Sequence, residues 1–234
     1  MEVSTLAAVR WAMRHPLHAL SVVQWVRNLP DVVIAPENDV AGRILQQRFG
    51  GIGPLKTGRH AQAALVLPDQ VNDYWRGPKR KVFRNKIASV KRKRLTWRML
   101  GPDEIAGAVQ AICDGRGWNR NIRAEMEGLL QLPLESAVVS AAFSPDGAVL
   151  SVSMAVASGN TAQIRWGLSI SKGPARWAVF AGLIDWAYAE GITTILVGPM
   201  VGAPSEDEYF QRRTGFEPSN IVVRAPRVPV PVLP

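Results

Sequence analysis

The chain contains a single cysteine, Cys113, which excludes an internal disulfide and any cysteine-rich metal centre. Three histidines, His15, His18 and His60, leave little for a histidine-based cluster. His15 and His18 have the spacing of two ligands on a helix, but Pro16 interrupts them and no third ligand accompanies them. No metal is expected. Every apolar run falls far short of the roughly 20 residues that a membrane-crossing helix needs. The N-terminus lacks an unbroken apolar core ahead of a small-residue cleavage site, so no secretory signal is expected and a reducing cytoplasm is the expected compartment. One further absence is local. From Arg76 to Arg98 there are eleven Lys or Arg residues and no acid. The remainder carries 17 basic against 19 acidic residues, so the net charge of +9 belongs to one stretch.

What is present is a globular composition, 47% hydrophobic and 20% charged, in a 234-residue chain long enough for one large domain or one domain with an extension. Residues 1–75 read as an N-terminal extension of short helices and possible strands. Leu6 to Arg14 and Leu17 to Arg27 are apolar and basic segments split by His15-Pro16, read as an arm packed on the core or as a membrane- or partner-binding helix pair. Asp39 to Phe49 is a candidate helix, Gly50 to Pro54 a turn cluster and Ala63 to Leu67 a strand. In the basic stretch Phe83, Ile87 and Val90 recur at i, i+4 and i+7, which predicts a helix with a narrow apolar face and a cationic back. Lys79, Arg80, Lys81, Arg84, Lys91, Arg92, Lys93 and Arg94 make it a candidate site for tRNA or another polyanion, against the alternative of a solvated face.

A strand from Leu95 to Leu100 comes next, then a helix whose first turn holds Pro102, Asp103 and Glu104 and which stops at Gly115 and Gly117. A second helix is predicted from about Asn119 to Leu130, with Glu125 and Glu127 off its apolar side. The period then changes from 3.6 to 2. Ala137 to Phe143, the strand holding Leu150 to Val156, and Gln163 to Ile170 form an antiparallel meander, turned at Ser144 to Gly147 and at Gly159-Asn160.

Ile164, Trp166, Leu168 and Ile170 alternate with Gln163, Arg165, Gly167 and Ser169, which predicts a half-buried strand. Ser171, Lys172, Gly173, Pro174 and Ala175 then lead into a largely apolar helix ending near Gly191. Free amides at such a helix start favour an anion. Ile192 to Val197 is a short strand. Ser205-Glu206-Asp207-Glu208 is a capping-box sequence opening a last helix that ends at Gly215, and Asn220 to Arg224 is a last strand. Residues 225–234, with four prolines, are a tail outside regular structure.

This element order, with YFQRRTGFEPSNIVV after the last helix, resembles the GNAT acyltransferase fold over about residues 95–224. The segment Lys79 to Arg94 is similar to the basic helix ahead of the core in Fem-type relatives, so the domain is drawn from 76 to 224. The resemblance implies an α+β fold with a mixed, largely antiparallel sheet flanked by helices. It also implies acyl transfer from acyl-CoA to an amine acceptor. The alternatives are an aminoacyl-tRNA donor, as in Fem-type transferases, or a non-catalytic module that binds nucleic acid or membrane through its basic helix. It places the donor's pyrophosphate at Leu168, Ile170, Ser171, Lys172, Gly173, Ala175 and Arg176. Gly173 and Ala175 match the family's loop, Ile170 stands where Gln or Arg is usual, and Pro174 removes one amide. It offers Tyr209 or Tyr188 as the acid and Glu125, Glu127, Asp207 or Glu208 as the base. Gln211 occupies the position of the usual tyrosine.

Overall fold

The computed structural model describes residues 24–25, 27–49, 60–116, 137–170, 173–198 and 205–224. In chain order the elements are β1 (Asp31–Ile34), α1 (Val40–Phe49), β2 (His60–Val66), α2 (Val71–Arg76), a 3₁₀ turn (Pro78–Arg80) and α3 (Lys81–Arg92). After these come β3 (Thr96–Met99), α4 (Pro102–Arg116), β4 (Ala137–Phe143), β5 (Val149–Ser158) and β6 (Thr161–Ser169). The chain then forms α5 (Ala175–Ala189), β7 (Thr194–Val197), α6 (Ser205–Thr214) and β8 (Glu217–Val223). The helix expected at Asn119 to Leu130 and most of the N-terminal arm lie outside the described residues, as does the tail.

The strands form an eight-stranded sheet in the order β1-β8-β2-β7-β6-β5-β4-β3. It is mixed: β1 pairs with β8 and β6 with β7 in parallel, and the other pairs are antiparallel. β1 and β2, from the segment read as an extension, are hydrogen-bonded into this sheet. β2 separates β7 from β8, pairing Ala64 with Leu196 on one side and Ala63 with Pro218 on the other.

α5 covers one face of the sheet. Its sequence is apolar on all sides, and a helix of that kind is stable only when enclosed. Ala178, Ala181, Leu183 and Ile184 are accordingly at most 1% exposed. Mid-helix Gly182 lets α5 approach β4, because a Cβ there would stand 2.6 Å from Ser140 Oγ. The basic helix α3 docks on α5 through Phe83 and Val90, both fully buried, with Phe83 5.8 Å from the Trp177 ring and 5.7 Å from that of Phe180. The other face is covered by α4, through Ile105, Val109 and Ile112, and by α1, through Ala41 and Leu45.

The alternation expected along β6 is broken at one residue. Ala155 pairs with Ile164 but Met154 pairs with Trp166, leaving Arg165 as a β-bulge. A bulge inserts one residue and so reverses the facing of the residues beyond it. Ile164 therefore packs toward α5, whereas Trp166, Leu168 and Ile170 pack toward α4. The four do not share a face, contrary to the period-two reading.

Candidate functional site

β6 and β7 are paired only from Thr161–Thr194 to Gln163–Leu196, and β6 then runs on to Ser169 without its parallel neighbour. On the α5 side of the sheet a cavity of about 790 Å³ opens beside the end of β6. Its floor is built of small residues, with Gly167 and Ser169 lining it. Ser169 Oγ lies 2.7 Å from Ser151 Oγ, whose hydroxyl donates to the Leu168 carbonyl, so this floor is fixed by the β5–β6 pair.

The end wall is the turn into α5, where Gly173, Pro174, Arg176 and Trp177 line the cavity. Pro174 caps the helix, and the first intrahelical bond is given by the Trp177 amide to the Pro174 carbonyl at 2.9 Å. The amides of Ala175 and Arg176 precede that bond, which leaves two donors at the positive end of the helix dipole. Arg176 adds a full charge. Its guanidinium lies 4.1 Å from the Phe210 ring and 2.7 Å from Asp207 Oδ1, tying α5 to α6.

α6 forms the facing wall with Asp207, Tyr209 and Phe210. Phe210 is held by Trp177 at 4.8 Å between ring centres. Tyr209 is 46% exposed, with the Arg213 guanidinium 5.2 Å from its ring. Glu208 pairs with Arg212 one turn on, at 2.7 Å, and is not among the residues lining the cavity. The third wall is α3. Lys86, Ser89 and Lys93, at i, i+3 and i+7, present one stripe to the cavity.

Thus the glycine turn, the basic helix and Tyr209, singled out separately in the sequence, meet around one cavity. Other candidates lie elsewhere. Tyr188 is not among the residues lining the cavity. Its hydroxyl donates to the Pro68 carbonyl at 2.9 Å, and burial, with Asp73 nearby, raises its pKa. Leu168 and Ala175 are buried in packing, while Ile170 lines the cavity edge. Ser171, Lys172, Glu125 and Glu127 fall outside the described residues.

The cationic stretch is divided. Lys79 pairs with Glu217 at 2.5 Å, and Arg80 lies over the Tyr74 ring with Nε and Nη1 buried. Arg84 bonds the Trp75 and Gly77 carbonyls, and with Lys91 it borders a separate groove of about 430 Å³ walled by Trp75 and Trp97. Arg94 borders a third hollow with Arg98, whereas Lys81 and Arg92 are exposed. Lys86 and Ser89 were not singled out in the sequence, although their spacing with Lys93 is the signal that finds them. Among the described residues no three His, Cys, Asp or Glu side chains gather as metal ligands, and no helix is long and apolar enough to cross a membrane.

No family model and no curated protein sequence matches the chain. Solved structures do. FemX superposes with a TM-score of 0.55 at 11% identity, covering 68% of this chain and 59% of that one. L-PGS from Bacillus licheniformis gives 0.49 at 15% identity, covering 68% and 57%. A GCN5-related N-acetyltransferase from Kribbella flavida gives 0.41 at 15% identity, covering 69% and 55%. The chain spans less than two thirds of the length of each. The fold is like that of FemX, and the likeness is distant.

Proposed function

We propose that this protein transfers an acyl group to an amine, with the donor's phosphates seated at the α5 turn. One observation carries the reading. The cavity beside the end of β6, where β7 no longer pairs with it, is bounded by the Gly173 turn, by Lys86 and Lys93 of α3, and by Tyr209 of α6. Together these supply helix-start amides and cations for a phosphate-bearing donor, and a phenol to protonate a leaving group. Pro174 and Ile170 reduce the donors available at the turn, and the lysines of α3 make up part of that charge. Acyl-CoA is the first donor class.

An aminoacyl-tRNA donor is favoured by the cationic stripe itself, since Lys93 leads out of the cavity to Arg94 and to exposed Arg92. A polyanion longer than a coenzyme would track such a path. Mass spectrometry of ligands retained by the purified protein, with coenzyme A and tRNA both sought, tests the two together. Recovery of either at near-stoichiometric amounts supports transfer chemistry. Recovery of neither, with no saturable binding of either at millimolar concentration, rejects it.

A further inference from the structure

The groove of about 430 Å³ on the far side of α3 from the cavity is not used by the transfer reading. Arg84, Ile87 and Lys91 recur at i, i+3 and i+7, so one stripe of α3 forms its first side. Ala181 and Asp185, one turn apart on α5, form the opposite side. Trp75 of α2 and Trp97 of β3 are its walls. Sites for small molecules are hollows of about 300–1,000 Å³ lined mostly by apolar and aromatic side chains, with a few polar groups that fix orientation. This groove has that size and that lining.

Both rings are held from behind. Trp75 lies 4.9 Å from Phe83 and 5.3 Å from Tyr74 between ring centres. Trp97 rests against α5 where Gly182 makes room, since a Cβ there would stand 3.0 Å from Trp97 Cδ1. The charges are spread out. Arg84 Nη1 donates to the Trp75 and Gly77 carbonyls, which fixes the guanidinium beside the first ring. Lys91 is rooted two turns further along α3, about 10 Å away. Among the described residues neither Lys91 nor Asp185 has a hydrogen-bond or ion-pair partner. Partial burial raises the pKa of the Asp185 carboxyl and no cation offsets it, so the carboxylate stands apart from Arg84 and Lys91.

We propose that this groove binds a free guanine nucleotide, its base against the Trp75 and Trp97 rings, its base edge on Asp185 and its phosphates on Arg84 and Lys91. Any base stacks on an aromatic face, so the rings call for a planar aromatic body without choosing among bases. Asp185 chooses. A carboxylate only accepts hydrogen bonds, and guanine offers it two adjacent donors, the ring N–H and the 2-amino group, in a bidentate pair. Adenine and cytosine set an acceptor nitrogen beside their amino group, which would face the carboxylate. A simple organic cation would satisfy Asp185 but would meet Arg84 and Lys91. The path suited to a long polyanion runs along the other side of α3, from Lys93 to Arg94, so the occupant here is the free nucleotide. The site does not rest on the transfer reading, and none of its residues lines the donor cavity.

The test is calorimetric titration of the full chain with guanosine diphosphate and with inosine diphosphate, which lacks only the 2-amino group. The guanosine nucleotide should bind saturably and the inosine nucleotide about tenfold more weakly, the loss of one hydrogen bond to a charged group. Asp185→Ala should weaken the guanosine nucleotide by about tenfold or more and remove its advantage over inosine. Asp185 has no partner to lose and alanine favours a helix, so the thermal midpoint of that variant should stay close to wild type. Should it not fold, Lys91→Gln takes its place and should weaken both nucleotides by the same factor. No saturable binding of guanosine diphosphate at millimolar concentration, equal affinity for the two nucleotides, or binding of a guanine-containing oligonucleotide without the free nucleotide overturns the site. Gly173→Glu separates this site from the donor cavity. It should weaken coenzyme A and leave guanosine diphosphate unchanged, and loss of the nucleotide there would overturn the groove assignment. Absence of coenzyme A binding alone would count against that donor and leave this site standing.

Discussion

At the residue scale, Arg176 and Asp207 set how much positive charge the cavity offers an incoming anion. Their ion pair is half exposed and so weak in itself, on the order of 0.2–1 kcal/mol. A phosphate must compete with Asp207 for the guanidinium, so Asp207→Asn should tighten coenzyme A binding by about two- to fivefold in a calorimetric titration. Unchanged or weaker binding would place the phosphates away from Arg176. Gly215 serves packing instead. It adopts φ +94, and a Cβ there would lie 1.7 Å from the Arg80 guanidinium. Gly215→Ala should therefore cost at least about 1–2 kcal/mol from the left-handed backbone alone, with Arg80 displaced from Tyr74 besides. Thermal unfolding measures this, and an unchanged midpoint would mean that the turn relaxes freely.

At the scale of elements, α3 has two working sides. Lys86 and Lys93 border the cavity while Arg84 and Lys91 border the separate groove. If the donor is a polynucleotide, Lys86→Gln and Lys93→Gln should each weaken tRNA binding and lower the slope of log affinity against log salt by about 1. Lys91→Gln should do less. Equal effects at all three positions would instead indicate a diffuse cationic surface. The start of α4 carries its own pH signature. Arg98 grips Glu104 with two nitrogens at 2.7 and 2.5 Å, and the Gly101 amide donates to the same carboxylate at 2.9 Å. The Arg98 hydrogen bond first, and that amide second, hold the Glu104 carboxyl down to about 2. A depressed carboxylate stabilises the fold above its unfolded value, near 4.3, and the stabilisation is lost as pH falls toward 2. Between those pH values Glu104→Gln should flatten part of the decline in chemical-denaturation midpoint seen in the wild-type chain. Parallel declines would show that the pair contributes nothing.

At the scale of the whole molecule, strands that arrive from the N-terminal side enter the same sheet as the meander, and the cavity sits beside the shorter of its two parallel pairings. Much of this was readable in the sequence because periodicity and turn chemistry are local. The meander, the apolar helix α5, and Phe83 and Val90 as the buried side of α3 all come from spacing. Strand insertion is not local: nothing in Ala63 to Leu67 specifies β7 and β8 as neighbours. Nor is a bulge, since Arg165 continues the alternation on paper while pairing reverses it. The site was half legible. Gly173 and Tyr209 could be singled out, but charge alone does not say that Lys86 and Lys93 face one cavity and Lys91 another. That division depends on which side of α3 meets α5.

The central claim is that the Gly173 turn and the α3 lysines together hold one phosphate-bearing donor. Its most direct test is calorimetric titration of coenzyme A and of tRNA into the wild-type chain, Gly173→Glu, and Lys86→Gln/Lys93→Gln. The account predicts that at least one of the two ligands binds saturably and that both variants weaken that same ligand by about tenfold or more, with thermal midpoints close to wild type. Binding left intact in Gly173→Glu, or no saturable binding of either ligand, would contradict it.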